Sequence, residues 1–346
     1  MDNDRVAADA LRSYVQDIMR AHGADEEQVL CVSENMIWNN LVNRRNYGVR
    51  RLPIQMKRLR LGLLRAPCHP TFEPASPSME RLDGDAGFGQ YVAELGMRRA
   101  IALAREAGVG IVAVRNSNYF GTGAYMVHLA AAAGMAGIVM SNAFPKVVPH
   151  GGIKPVFGTN PLAFGVPRRD GKSLLFDMAT AALAGSKVRD HLRTGKPLPE
   201  GLAINTEGKP ITDPARVGEG ALLPLGGAKG YGLALMVEIL SGVITGAGVS
   251  FGVASMFGDF TRSADIGHFL MALDISRLMP LATYFERLDQ LEQILADSAP
   301  DGQVRLPGMV RWQYYGDYLA NGIPLDRQAR SDLEELSSPY AIATPW

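Results

Sequence analysis

Five glycine-bearing turns hold most of the side chains that could do chemistry. They are RNSNYFGTGAY (115–125), NAFPKVVPHGG (142–152), FGTNPLAFG (157–165), FDMATAALAGSK (176–187) and LPLGGAKGYGLALMVEIL (223–240). Each joins an apolar, strand-like run to a flexible turn with polar side chains. Glycine there lets the backbone come close to a ligand, and Lys229 offers a point charge for a phosphate or a carboxylate. On residue chemistry alone two readings stand side by side: loops at strand ends that bind a small anionic ligand, or turns that serve only the fold.

Other chemistries find no complete motif. A dinucleotide fingerprint needs G-x-G-x-x-G between a first strand and a helix. The pairs Gly87/Gly89, Gly108/Gly110 and Gly121/Gly123 all lack the third glycine in its place. Around Gly171, Lys172 and Ser173 a phosphate-binding loop is out of register, because the upstream Gly165 falls one residue early. The histidines at 22, 69, 128, 150, 191 and 268 are scattered. His128 reads as a packed residue of an apolar helix and His268 as a strand residue, and no Ser/His/Asp set can be assembled. Cys31 and Cys68 read as free thiols in a reducing cytoplasm. Without CxxC, HExxH or a His/Cys cluster, no transition-metal site is expected.

The elements that must position these turns follow from pattern. The 346 residues are 47% hydrophobic and 20% charged, which is globular composition. Lys plus Arg (35) balances Asp plus Glu (35), so there is no basic footprint for nucleic acid. The longest apolar run, Leu129–Met140, is well short of the roughly 18–20 residues a membrane helix needs. The polar, acidic opening MDNDRVAADA shows no secretory signal, and a cytoplasmic location is expected.

Val6, Leu11, Tyr14, Val15, Ile18 and Met19 recur at helical spacing, and Asp25 can cap a second helix. A short basic helix is expected near 54–64, then a proline-rich linker or extended arm, APCHPTFEPASPSME. From Gly89 onward helices alternate with the short apolar runs GIVAV, GIVMSNA, LLFDMA and HFLMALDI. Later helices fit Leu233–Leu240, Tyr284–Ala296 and the tail RQARSDLEELSSPYA. Interleaving of this kind places the chain in the α/β or α+β class. A helical region over 1–70, packed with a C-terminal helix in 320–346, is expected to flank a central α/β region over 75–319.

GTNPLAFG, FDMAT, and LLPLGG followed by KGYGLALMVEIL, in that order, resemble the malate/L-lactate dehydrogenase family of the non-Rossmann type. That family includes ureidoglycolate, sulfolactate and diketogulonate oxidoreductases and reductases of cyclic imino acids. The resemblance covers most of the chain. It implies an α/β fold whose mixed, largely antiparallel sheet binds NADH or NADPH, and a homodimer with its active site at the interface. Carried over by position, it places Tyr119, Phe120, Gly121, Thr122 and Gly123 along the cofactor, together with Asp177, Met178, Ala179, Ala228 and Lys229. It places Thr159 against the substrate and assigns Arg51 to the substrate carboxylate, a bidentate task suited to a guanidinium.

The departures bear on the chemistry. Where the family reads Ser-His-Gly, this chain has Asn46, Tyr47 and Gly48, and the histidine there is the usual proton donor. Tyr119 stands where a second histidine is usual, and Met309 where a glutamate is usual. Tyrosine, with an ordinary pKa of about 10, is a weak acid at neutral pH. Neighbouring cations such as Arg44, Arg45, Arg50 and Arg51 would help Tyr47 act as donor. A cyclic imine arrives already protonated and asks little of a general acid, which favours an imino acid or an unusual 2-oxo acid as substrate. The expected activity is therefore hydride reduction of a C=N or C=O carbon beside a carboxylate, with Tyr47, Arg51 and Tyr119 at the reacting centre. The alternative is a homologue that has lost catalysis and survives as a cofactor-binding or scaffold protein.

Overall fold

Leu11, Tyr14, Val15, Ile18 and Met19 are all buried because they form one stripe of the first helix. Asp25 caps the second, its carboxylate accepting from the Gln28 amide at 3.1 Å. The computed structural model describes residues 5–183, 185–299 and 304–346. In chain order the elements are β1 (Arg5–Val6), α1 (Ala8–Ala21), α2 (Glu26–Leu41), α3 (Leu52–Arg60), β2 (Thr71–Ser76), β3 (Met79–Asp83), α4 (Gly89–Ala107), β4 (Val109–Ser117), α5 (Gly123–Ala132), β5 (Met135–Ser141), β6 (Leu162–Val166) and β7 (Leu174–Met178). They continue as α6 (Gly185–Thr194), β8 (Ala203–Ile204), β9 (Ala221–Leu222), α7 (Ala228–Glu238), β10 (Ile266–Asp274), α8 (Leu281–Asp297), α9 (Met309–Asn321), β11 (Ile323–Pro324) and α10 (Arg327–Ser337).

Among the described residues the main sheet has seven strands in the order β2-β3-β4-β10-β5-β6-β7. Only β3 and β4 pair in parallel; every other neighbour is antiparallel. This is the mixed, largely antiparallel α/β architecture expected from the resemblance. The late strand β10 inserts between β4 and β5, setting His268 opposite Ser141 on one side and Val114 on the other. Helix α4 packs on β4 and β10, and α5 on β5 and β6. The approach of α4 is close: a Cβ on Gly110 would lie 2.0 Å from the Ala100 carbonyl oxygen.

The chain ends meet over this layer. β1 pairs with β11, Tyr14 Oη lies 2.6 Å from Ser337 Oγ, and the Trp346 ring stands edge-on to Tyr14 at 5.3 Å. One hydrophobic core runs from Val6 through Val114 and Leu270 to Leu336.

Val6, expected with the first helix, lies in β1 opposite Ile323. Three longer segments also differ from expectation. The proline-rich stretch is no linker: it forms β2 and β3 at the sheet edge. An edge strand tolerates Pro74, because one side of its ladder is unpaired. The turn FGTNPLAFG contains strand β6, since Ala163 and Gly165 pair on both sides. Helix α7 starts at Ala228, earlier than its apolar stretch indicates, and widens into a π-type turn over Ile239–Val243.

His128 is a packed residue, as expected, hydrogen-bonded to Ser173 Oγ at 2.9 Å and stacked on Trp38. His268 is fully enclosed, with Ser141 Oγ and Ser117 Oγ each 2.9 Å from its two ring nitrogens. Burial lowers its pKa to about 3. An unfolded histidine takes its proton near pH 6.5. Between these values the unfolded chain binds the extra proton, so this contribution to stability is complete above about pH 6.5 and lost as pH falls toward 3. Urea unfolding at pH 5 and pH 7 should show the wild type losing stability at the lower pH. His268→Gln should have a smaller difference between the two.

Candidate active site

Tyr47 and Arg51 leave the backbone from two consecutive tight turns, Arg45–Tyr47 and Val49–Arg51, between α2 and α3. Asn40, buried at the end of α2, fixes this junction: its Oδ1 accepts from the Val49 amide at 2.9 Å. A Cβ on Gly48 would lie 1.8 Å from that oxygen, so only glycine fits beside it. Pro53 in the first turn of α3 then starts the helix.

The Arg51 guanidinium stands between two rings, 5.9 Å from the centroid of Tyr119 and 5.0 Å from that of Phe257. Its Nε is buried with no hydrogen-bond partner among the described residues, and so is the Tyr119 hydroxyl. Burial pushes the Tyr119 hydroxyl well above its ordinary pKa, against the opposing pull of Arg51. Tyr119 is therefore a neutral phenol. Its position is set by Asn118, whose Nδ2 donates to the carbonyls of Ala86 and Gly87 at 2.9 and 3.0 Å.

Asp177 lies on the edge strand β7, opposite Ala163. A carboxylate oxygen is 3.5 Å from Nη2 of Arg311, which enters from the first turn of α9 and is only 7% exposed. Arg311 Nη1 is buried without a partner. Burial lowers the Arg311 pKa, while Asp177 acts to raise it, and Arg44 and Tyr47 also feel its charge. Tyr119 likewise feels Arg51, Tyr47 and Asp177. Tyr47, Arg51, Tyr119, Asp177 and Arg311 thus form one electrostatic neighbourhood.

A second group is joined through the backbone. The Thr180 amide donates to the Thr159 carbonyl at 2.9 Å, and the Leu225 amide donates to the Thr180 carbonyl at 2.9 Å. This ladder sets Thr159 and Asp177–Ala179 beside the turn leading to Ala228 and Lys229. Gly226 and Gly227 have φ of +61° and +65°, and Ala228 and Lys229 open α7 as exposed residues. The third part is the loop over 119–123. Its Gly123 packs on β6 beside β7: a Cβ would lie 2.5 Å from Ala163 Cβ and 3.5 Å from Asp177 Oδ1. Phe120 and Thr122 turn their side chains inward, Phe120 against His268 and Thr122 donating to Asn39 Oδ1 at 2.7 Å. Only their backbone can face a ligand.

Two of the four arginines of the basic stretch turn away from Tyr47. Arg45 donates to the Tyr318 hydroxyl at 3.1 Å and Arg50 is ion-paired with Asp326, both toward the C-terminal helices.

The malate/L-lactate dehydrogenase family profile matches residues 6–334. The chain belongs to this family. It is 36% identical to the malate dehydrogenase of Pyrococcus horikoshii over 353 residues, covering 98% of this chain and 96% of that one. It is 31% identical to the Δ1-pyrroline-2-carboxylate/Δ1-piperideine-2-carboxylate reductase of Pseudomonas aeruginosa, covering 95% and 98% of the two chains. The structure of the sulfolactate dehydrogenase of Methanocaldococcus jannaschii superposes with a TM-score of 0.91 at 30% identity, over 99% of this chain and 98% of that one.

Within this malate/L-lactate dehydrogenase frame, three residues at the site carried no sequence signal strong enough to select them. Phe257 lies in a loop without a motif. Asn40 is one of several asparagines in α2. Arg311 had a faint mark, as the lone cation in MVRWQYY, two residues past Met309.

Asn40→Ala removes the acceptor of a buried amide, a loss worth about 1–3 kcal/mol. The urea midpoint should fall accordingly. Asn40→Asp, which keeps an acceptor, should fall less.

Proposed function

We propose that the protein is an NADH- or NADPH-dependent oxidoreductase that reduces the C=O or C=N carbon next to a carboxylate, in a 2-oxo acid or a cyclic imino acid. The observation that carries this reading is the convergence of two buried guanidinium nitrogens without partners among the described residues, Arg51 Nε and Arg311 Nη1, on the neighbourhood of the Tyr119 hydroxyl. Buried polar groups are nearly always paired, so a cluster of unpaired ones calls for a ligand rich in acceptors. A small carboxylate bearing a second polar atom is such a ligand. Membership of a family of dehydrogenases, with a cyclic imino acid reductase among the relatives, supports the reaction class.

The residues present fit a nicotinamide nucleotide. Gly123 lets the 119–123 loop pack closely on Ala163 beside Asp177, and Gly226 has open space around it, so one approach, at Gly226, is free of side chains. Asp177, Met178, Ala179 and the backbone of 119–123 would line it, with Ala228 and Lys229 reaching its polar groups. When bound and reduced, that group supplies the hydride that adds to the substrate carbon.

The chain's own residues do the rest. Arg51, within cation–π distance of the Tyr119 and Phe257 rings, presents its fork to the carboxylate and so fixes which carbon faces the sheet edge. Tyr119 donates a hydrogen bond while keeping its proton, since burial holds the phenol neutral. Tyr47, 40% exposed, lies where solvent reaches the site and relays a proton to the reduced heteroatom. A cyclic iminium brings that proton with it, and then Tyr47 only steers.

A homodimer with its site near the interface is part of the proposal. Val243, Ile244, Val249, Phe251 and Phe257 form an exposed apolar series that runs from the end of α7 to the ring on Arg51, a surface suited to a second copy. No helix among the described residues is long and apolar enough to cross a membrane. We place the activity in the cytoplasm.

Thermal unfolding with NADH, with NADPH and with neither tests the cofactor. A ligand at about 100 times its Kd adds about 2.7 kcal/mol to stability, a shift that is readily seen. Nicotinamide absorbance with a panel of 2-oxo acids and cyclic imino acids then identifies the substrate. Arg51→Gln should raise KM for the active panel member by 10-fold or more, on the order of the 1.5–3 kcal/mol of a charge-assisted pair. A shift with neither nucleotide would overturn the assignment.

A further inference from the structure

We propose that Arg311 is the hydrogen-bond donor that meets the substrate's carbonyl oxygen, held in that role by Asp177. The inference rests on the reading above, and it gives the reacting oxygen a partner that neither the family register nor the sequence supplied.

Four observations carry it. Arg311 is 7% exposed, and a guanidinium so enclosed is costly unless its donors are matched. One arm is matched: Nη2 faces Asp177 at 3.5 Å. The other, Nη1, has no acceptor among the described residues. The guanidinium is a rigid planar fork, so fixing one arm on Asp177 also fixes where the free arm points. Finally, Tyr47 and Tyr119, the residues assigned to the reacting centre, lie within electrostatic reach of this pair.

Charge decides what the free arm is for. Arg51 already provides a cation with no carboxylate partner among the described residues. Arg311 with Asp177 sums to about zero, so the pair does not call for a second permanent anion, which would lie against the Asp177 carboxylate. It suits an oxygen that is neutral in the substrate and gains negative charge only as the carbon is reduced. A donor preset for that oxygen stabilises the transition state more than the ground state. The two tyrosines cannot do this alone: Tyr119 is a neutral phenol, and Tyr47 is in contact with solvent. A protonated cyclic imine carries N–H⁺ and has no lone pair for Nη1 to meet. Arg311 therefore acts on 2-oxo acids and not on cyclic imino acids.

The test compares wild type, Arg311→Gln, Arg311→Lys and Arg51→Gln in the full-length protein. Three quantities are read: the thermal shift with NADH and NADPH, kcat and KM across the panel, and protection by oxamate, a carboxylate bearing an amide carbonyl. Arg311→Gln should keep the nucleotide shift and a KM within about threefold of wild type. Its kcat on a 2-oxo acid should fall by about 100-fold or more, the usual loss for one oxyanion donor. Arg311→Lys, which restores a cation without the fork, should recover part of kcat. Arg51→Gln should instead raise KM and abolish protection by oxamate.

A kcat for Arg311→Gln within threefold of wild type overturns the inference while leaving the proposed function intact. Loss of the nucleotide shift in Arg311→Gln also overturns it, assigning the residue to the cofactor or the fold. So does wild-type turnover of cyclic imino acids alone. A wild type that binds nucleotide yet turns over nothing on the panel refutes the proposed function first, and the inference with it.

Discussion

The guanidinium of Arg51, set between the rings of Tyr119 and Phe257, joins three stretches of chain that are far apart in sequence. One is the entry to α3, one the loop after β4, and one the loop before β10. Each must be held independently for the three to meet. Asn40 holds the first and Asn118 the second. The third is held by Arg58, 2% exposed, whose two terminal nitrogens donate to the Asp259 and Arg262 carbonyls at 2.7 and 3.0 Å. The fold around the site is thus organised by buried polar groups that donate to or accept from main chain. Apolar packing then fixes the layer on which they stand.

On the proposed reading, that layer explains how a sheet can hold a nucleotide without a glycine fingerprint. In a parallel doubly wound sheet the pyrophosphate sits on one strand–turn–helix junction, so three glycines must fall together. Here β10 enters between β4 and β5 from more than a hundred residues downstream, and the ladder is antiparallel around it. The turns facing a ligand therefore come from several separate crossings. Single glycines suffice at each: Gly123 against β6 beside β7, and Gly226 and Gly227 before α7. The scattered glycines of the sequence are consistent with this geometry.

How much could be read in advance followed from how local each cause was. The stripe Leu11–Met19, the Asp25 cap and the runs GIVAV and HFLMALDI are set by neighbours within a few residues, and the helices and strands fall where they point. The strand β2 was hidden because Pro74 marks a linker unless the chain lies at a sheet edge, a fact of tertiary placement. The destinations of Arg45 and Arg50 were hidden for the same reason, since Tyr318 and Asp326 are more than two hundred residues away. The resemblance supplied Arg51, Tyr119 and Asp177, but it could not supply Arg311, which meets Asp177 only where α9 approaches β7.

The two tyrosines change what the site asks of its remaining charges. A histidine offers a proton and a positive charge in one group. Tyrosine separates these duties, because the buried Tyr119 phenol keeps its proton and carries no charge. Cationic stabilisation must then come from side chains that remain charged under desolvation, and guanidinium is the group least easily neutralised. In the proposed site two arginines come from different elements, Arg51 beside the rings and Arg311 beside Asp177. Asp177 holds Arg311 and limits the net charge, so the site can enclose a carboxylate on one side without an excess of cation on the other. On the proposed reading, proton relay, carboxylate grip and oxygen stabilisation fall to separate residues, as a site with tyrosine and no titrating imidazole at both positions requires.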